Sequence, residues 1–250
     1  MTVDEVLKRI EALKLEIEEK NLSTKNLLQL VPKFRLDWGS DENDVRDDFN
    51  IGVTKPIILS GLANSHHKLK ATNLLVKNNK IAQLLVDTFI TEKKLSKELL
   101  FTIHENIILN GGKWRTQDVI VNDITYAVES IVTDVAHIDQ QISSLIAWYN
   151  KESSTKELHP LLLSTMFHYN FVKIHPFLDG NGRLARVISS LILLANSIPP
   201  PIFEKENRYE YINCLRKADL GDYNPLVLFI GKKVVSSMEY VLSLKNNGNV

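Results

Sequence analysis

The run His175-Pro176-Phe177-Leu178-Asp179-Gly180-Asn181-Gly182-Arg183-Leu184-Ala185-Arg186 constrains this chain more than any other stretch. Upstream, Leu162, Met166, Phe167, Tyr169 and Val172 recur at helical spacing, and the residue before Pro176 is biased away from helix. These signals predict a helix from Pro160 that ends near Ile174. Downstream, Leu184, Val187, Ile188, Leu191 and Leu194 repeat at three- and four-residue steps. They predict a second helix from Asn181 or Gly182, with Asp179 or Asn181 placed to cap it. The run is a helix–loop–helix junction.

A glycine-containing turn that feeds a helix N-terminus is an anion receptor, because the first amides of a helix lack intrahelical partners and lie at the positive end of the macrodipole. Gly180 and Gly182 let the backbone approach phosphate oxygens, and Asn181 lies between them. Arg183 and Arg186 are three apart, on one helical face, where two guanidinium forks suit a polyphosphate. Asp179 is the only carboxylate of the run, and among so many phosphate-binding cations it makes most sense as a ligand for the Mg²⁺ that accompanies a nucleotide. His175 then has a role as general base toward an attacking hydroxyl, since imidazole titrates near neutrality.

The run resembles the complete signature of the Fic family, His-x-Phe-x-Asp-Gly-Asn-Gly-Arg-x-x-Arg, at every fixed position. Similarity extends to His159-Pro160-Leu161-Leu162, to Gly112-Lys113-Trp114-Arg115 and to Asn207-Arg208-Tyr209-Glu210-Tyr211 with Ala218-Asp219-Leu220-Gly221-Asp222, so it covers roughly Ile57 to Val235. The resemblance implies an all-α fold, a Fic-like helical bundle with a short β-hairpin flap near the active site. It implies a protein adenylyltransferase that moves AMP from ATP to a Ser, Thr or Tyr hydroxyl and releases pyrophosphate. His175 is then the catalytic base and Asp179 the metal ligand, while Gly180, Asn181, Gly182, Arg183, Arg186 and Tyr211 bind the nucleotide. Two alternatives stay open: transfer of another phosphate-containing group, such as UMP, and a nucleotide-binding interaction or antitoxin-like module with little turnover.

Gly111-Gly112 followed by Val119-Ile120-Val121 and Asn122-Asp123 suggests a hairpin over about 111–123, with Lys113 and Arg115 as solvated charges. In the Fic family such a flap holds the target protein by strand addition, which reads little of the target's sequence. Many members also carry an inhibitory helix with a glutamate directed at the second motif arginine. The matching segment here is Ser60-Gly61-Leu62-Ala63-Asn64-Ser65, and Asn64 brings no charge. The usual brake is then weakened.

Thirty basic and thirty acidic residues cancel, so nothing in the overall balance argues for a nucleic-acid or membrane surface. The first residues carry acids without an uninterrupted apolar run, and no stretch approaches the ~18 apolar residues of a membrane span, so the expected location is cytoplasmic. Cys214, the only cysteine, falls in an apolar helical pattern and reads as a small buried hydrophobe. The other histidines lack metal-site spacing and read as structural. Val3, Val6, Leu7, Ile10, Leu13 and Ile17 form a stripe expected to pack a first helix on the body. The expected organisation is a helical extension and polar loop over 1–56, a catalytic domain over 57–235 that includes 60–65, and a tail over 236–250. A homodimer and self-modification are compatible with it.

Overall fold

The computed structural model describes residues 1–20, 87–108, 111–119, 121–123, 128–130, 132–203 and 205–246. The Asn64 segment, the polar loop before residue 56 and the helices expected between 57 and 86 lie outside the described residues.

Helix α1 (Val3–Glu19) starts on a capping box. Thr2 Oγ1 accepts the Glu5 N–H at 3.2 Å, and Glu5 Oε2 accepts the Thr2 N–H at 2.7 Å. Its stripe is buried as expected at Val6, Ile10, Leu13 and Ile17. The stripe packs against α7 (Asn224–Asn246), and Arg9 pairs with Glu239 at 2.7 Å across that contact. Helix α7 runs unbroken past residue 235, where the sequence suggested the edge of a domain.

Between these lie α2 (Lys97–Ile107), α3 (Ile138–Thr155), α4 (Pro160–Ile174), α5 (Asn181–Leu194) and α6 (Arg208–Asp219). Helix α4 begins as its sequence dictates: Pro160 occupies the first turn, where its missing N–H leaves no bond unmade, and His159 Nδ1 accepts the Leu161 N–H at 3.1 Å. One apolar cluster joins α1, α6 and α7 to residues of α4 and α5; a second joins α2, α3, α4 and α5. Helices α4 and α5 contribute to both clusters, so their connecting loop is held from two sides.

Strands β1 (Val121–Asp123) and β2 (Val128–Ser130) pair antiparallel, with Asn122 opposite Glu129. The hairpin expected over 111–123 is displaced. Residues 111–119 contain no strand, and β1 finds its partner downstream. The Gly111-Gly112 pair serves a different contact, with α2, described below.

Candidate active site

The loop joining α4 to α5 reverses the chain with left-handed backbone at both ends. His175 is the C-cap of α4 at φ 52° and ψ 58°, and its N–H donates to the Phe171 carbonyl at 3.0 Å. Gly180 is the N-cap of α5 at φ 79° and ψ 4°. Only glycine suits that position: a Cβ there would lie 2.7 Å from Ile108 Cγ1, in a conformation that side chains disfavour. Between the two turns Phe177 inserts fully into the core, and its burial contributes about 1.5–3 kcal/mol.

The side chains expected to cap α5 do other work. Asn181 is 2% exposed and reaches back to Phe177, accepting its N–H at 2.9 Å and donating to its carbonyl at 2.7 Å. Asp179 Oδ1 accepts the Gly180 N–H at 2.6 Å, and Oδ2 accepts from Arg183 at 2.9 Å. Asn181 thus braces the loop with its amide. The first helical bond runs from the Leu184 N–H to the Gly180 carbonyl, so the amides before it, at Asn181 to Arg183, form the start of the helix.

Arg186 is 3% exposed, deep in the first turns of α5, whereas Arg183 is nearer the surface beside the exposed carboxylate of Asp179. His168, on α4, is fully buried near Arg186. Burial first, and the Arg186 charge second, push the His168 pKa down to about 3, so the imidazole stays neutral beside that cation. The Tyr211 hydroxyl lies 2.7 Å from His168 Nε2. Tyr211 is itself 6% exposed within the first apolar cluster, and the exposed aromatic of its helix is Tyr209. The junction therefore brings His175, Asp179, Gly180, Asn181, Gly182, Arg183 and Arg186 together, while Tyr211 meets His168, the buried neighbour of Arg186.

The depressed His168 pKa fixes the sign of an acid effect. The unfolded chain takes up a proton near pH 6.5 and the folded chain only near pH 3, so this group's contribution is complete above 6.5 and is lost as pH falls through that window. From this residue alone, unfolding free energy falls by about 2 kcal/mol between pH 7 and pH 5. Urea unfolding of the wild type and of His168→Gln at the two pH values measures the difference. Parallel losses in the two proteins would contradict it.

Two further residues of the site were assigned no role in it from the sequence. His104, on α2, lies 75 residues before Asp179, yet its Nε2 is 2.9 Å from the Asp179 carbonyl. Its Nδ1 accepts the Gly112 N–H at 2.9 Å, so Nε2 carries the proton and donates. Burial holds its pKa below the usual imidazole value, which favours this neutral tautomer, and its ring stacks on Phe177 at 3.6 Å. A Cβ on Gly111 would lie 2.6 Å from His104 Nδ1, which explains a glycine there. The second is Arg115. Expected to be solvated, it is 4% exposed, and its Nε donates to the His175 carbonyl at 2.9 Å. A cleft of about 430 Å³ opens beside these groups, lined in part by Lys113, Trp114, Gln117, Leu178 and Asp179.

Residues 94–193 match the model of the Fic/DOC family. Protein adenylyltransferase fic-1 of Caenorhabditis briggsae is 29% identical over 210 residues, or 80% of this chain and 40% of that protein. Protein adenylyltransferase Fic of Drosophila grimshawi is 30% identical over 181 residues, or 72% of this chain and 35% of that protein. The chain thus spans 40% or less of the length of these curated relatives. A Fic domain containing signaling protein from Bacteroides thetaiotaomicron superposes with a TM-score of 0.67 at 20% identity, covering 96% of this chain and 94% of that one. Fic-1 of Caenorhabditis elegans superposes with a TM-score of 0.59 at 23% identity, covering 90% and 73%. The matched region runs from just before α2 to the end of α5 and contains the whole junction, and the chain accordingly carries a Fic/DOC-family domain over residues 94–193.

Proposed function

We propose that this chain is a protein adenylyltransferase that transfers AMP from ATP to a hydroxyl of a target protein. The observation that carries the reading is the single junction in which His175 closes one helix while the glycines and both arginines open the next. The relatives' names support the choice of AMP. In this reading the phosphates of ATP lie across the start of α5, beside Gly180 and on the amides of Asn181 and Gly182, with Arg183 and Arg186 on the β- and γ-phosphates. Asn181 acts by bracing the loop and through its main chain. Tyr211 supports the floor through His168 instead of walling the adenine at the surface.

His175 takes the proton of the target hydroxyl. Its Nδ1 is buried, which leaves Nε2 for the substrate. The hydroxyl oxygen attacks the α-phosphorus, the bond to the bridging oxygen breaks, and pyrophosphate departs. Oriented amides and guanidinium groups stabilise the charge that develops, and the base adds about 10²- to 10⁴-fold.

Magnesium fits the donor set at Asp179. The carboxylate is 62% exposed at the mouth of the phosphate site, and this ion is held through one or two carboxylates together with substrate phosphates. Asp179 would hold it after releasing Arg183 to the nucleotide. When bound, the ion neutralises phosphate charge.

A target segment docks by strand addition along β1, the part of 111–123 that is strand. Residues 57–235 carry the catalysis, and α1 with the distal half of α7 braces them. Among the described residues no helix is long and apolar enough to cross a membrane.

Incubation with α-labelled or γ-labelled ATP and Mg²⁺ tests the function. Label on protein from the α-phosphate alone is expected; label from γ indicates a kinase-like reaction, and label from neither indicates binding without turnover. Arg186→Ala should weaken productive ATP binding by roughly ten- to a hundredfold, the equivalent of one charge-assisted contact of about 1.5–3 kcal/mol. An unchanged Michaelis constant and rate would make Arg186 structural.

A further inference from the structure

Arg115 is separated from His175 by 60 positions, and nothing in the phosphate chemistry calls for it. Its side chain is nevertheless wholly buried, and its donors are aimed at main-chain carbonyls on both sides of it. Nε donates to the His175 carbonyl at 2.9 Å, Nη1 to the Gln117 carbonyl at 2.9 Å, and Nη2 to the Thr133 carbonyl. The backbone N–H of Arg115 donates to the next carbonyl of the loop, that of Pro176, at 2.9 Å.

The two carbonyls held in this way follow the end of α4, where helix geometry provides no partner for them. The first of them belongs to the one residue of the loop that combines a side chain with a left-handed backbone, His175 at φ 52°, and the second to the residue after it. That conformation persists in an L-residue only where the surroundings restrain it. The direction of the imidazole is set by this backbone, so a restraint on the carbonyl is a restraint on the ring. The planar, rigid fork of a guanidinium suits such a task better than an ammonium.

We infer that Arg115 is the positioning residue of His175, holding the His175 and Pro176 carbonyls so that the imidazole is presented in one orientation. The inference rests on the assignment of His175 as the base. Arg115 touches neither nucleotide nor hydroxyl and acts through the loop alone.

Arg115→Lys keeps the charge and loses the fork. Its kcat should fall by about ten- to a hundredfold, the usual consequence of a misplaced catalytic group, while its KM for ATP stays within about twofold because the phosphate groups belong to α5. Loss of folded protein alone would also lower the apparent kcat, so a second readout is needed. Imidazole resonances of nitrogen-labelled protein, with His175 assigned from the His175→Ala spectrum, should show the His175 signals shifted or broadened in Arg115→Lys and those of His137 and His159 unchanged. His175 signals identical to wild type overturn the inference.

These spectra need no nucleotide. A wild type that transfers no α-label therefore counts against the adenylyltransferase reading, whereas unmoved His175 signals count against Arg115. If Arg115→Lys does not fold, amide exchange of the wild type decides. The Arg115 amide, bonded to Pro176, and the Phe177 amide, bonded to Asn181, should exchange with protection within about threefold of each other as parts of one opening unit. An Arg115 amide that exchanges more than about tenfold faster overturns the inference.

Discussion

His175→Ala is expected to bind ATP as the wild type does and to transfer almost none of it, with the rate lowered by about 10²- to 10⁴-fold. The separation follows from where the residue's bonds lie. Its N–H goes to the Phe171 carbonyl and its own carbonyl is held by Arg115, so truncating the side chain leaves both backbone restraints in place. Alanine meets the same left-handed backbone as histidine and adds no new clash. The groups assigned to the phosphates belong to the next helix. Transfer of α-label and calorimetric ATP affinity, measured on the same preparation, check both halves. Transfer near the wild-type rate would remove His175 from the chemistry, and lost ATP affinity would show that the loop depends on the ring for its shape.

Gly180→Val should be the most disruptive single change in the loop. The left-handed backbone at φ 79° costs an L-residue about 1–2 kcal/mol, and a branched side chain more. Its Cβ would also lie 2.7 Å from Ile108 Cγ1 and 3.2 Å from His104 Nε2, an overlap worth a further 1–3 kcal/mol or so. A total loss of about 2–5 kcal/mol is expected, together with loss of transfer, because relief of the clash moves the Asp179 carbonyl from His104 and tilts the start of α5. Gly182→Ala provides the contrast. Its Cβ meets only Arg186 Nη1, at 3.4 Å, and it has no left-handed backbone, so urea unfolding should place it close to wild type. Equal midpoints for Gly180→Val and Gly182→Ala would refute the strain argument.

The ends of α4 and the start of α5 were readable because their signals are local: a proline at the first helical position, another just after the last, and apolar residues at three- and four-residue steps. The same locality misled the reading of the caps. Asn181 is a good capping residue by type, but Phe177, four residues away, offers both a donor and an acceptor in a buried setting, and that pair of bonds is made instead. Val121, the last residue of the Val119-Ile120-Val121 run, does open a strand, yet propensity names no partner, and β1 pairs forward with Val128–Ser130 instead of back toward the glycines. The role of His104 was invisible, and that of Arg115 misread as a solvated charge, for a related reason. Their roles depend on contacts across 75 and 60 residues, and a histidine or arginine carries no local mark of the carbonyl it will meet. The contact of Tyr211 with His168 was equally hidden, since an aromatic of a helix looks the same in sequence whatever it will meet.

The left-handed backbone at His175 has a consequence for anyone who selects this protein for heat resistance. A helix end of that shape suits glycine best, and a substitution that relieves strain is what a screen on melting temperature rewards. His175→Gly is therefore the direction in which such a screen drifts at this position, toward a protein that outlasts its parent in hot buffer and has lost the imidazole proposed as its base. The imidazole stands where stability alone would never have chosen it, and only a selection that scores turnover will keep it there.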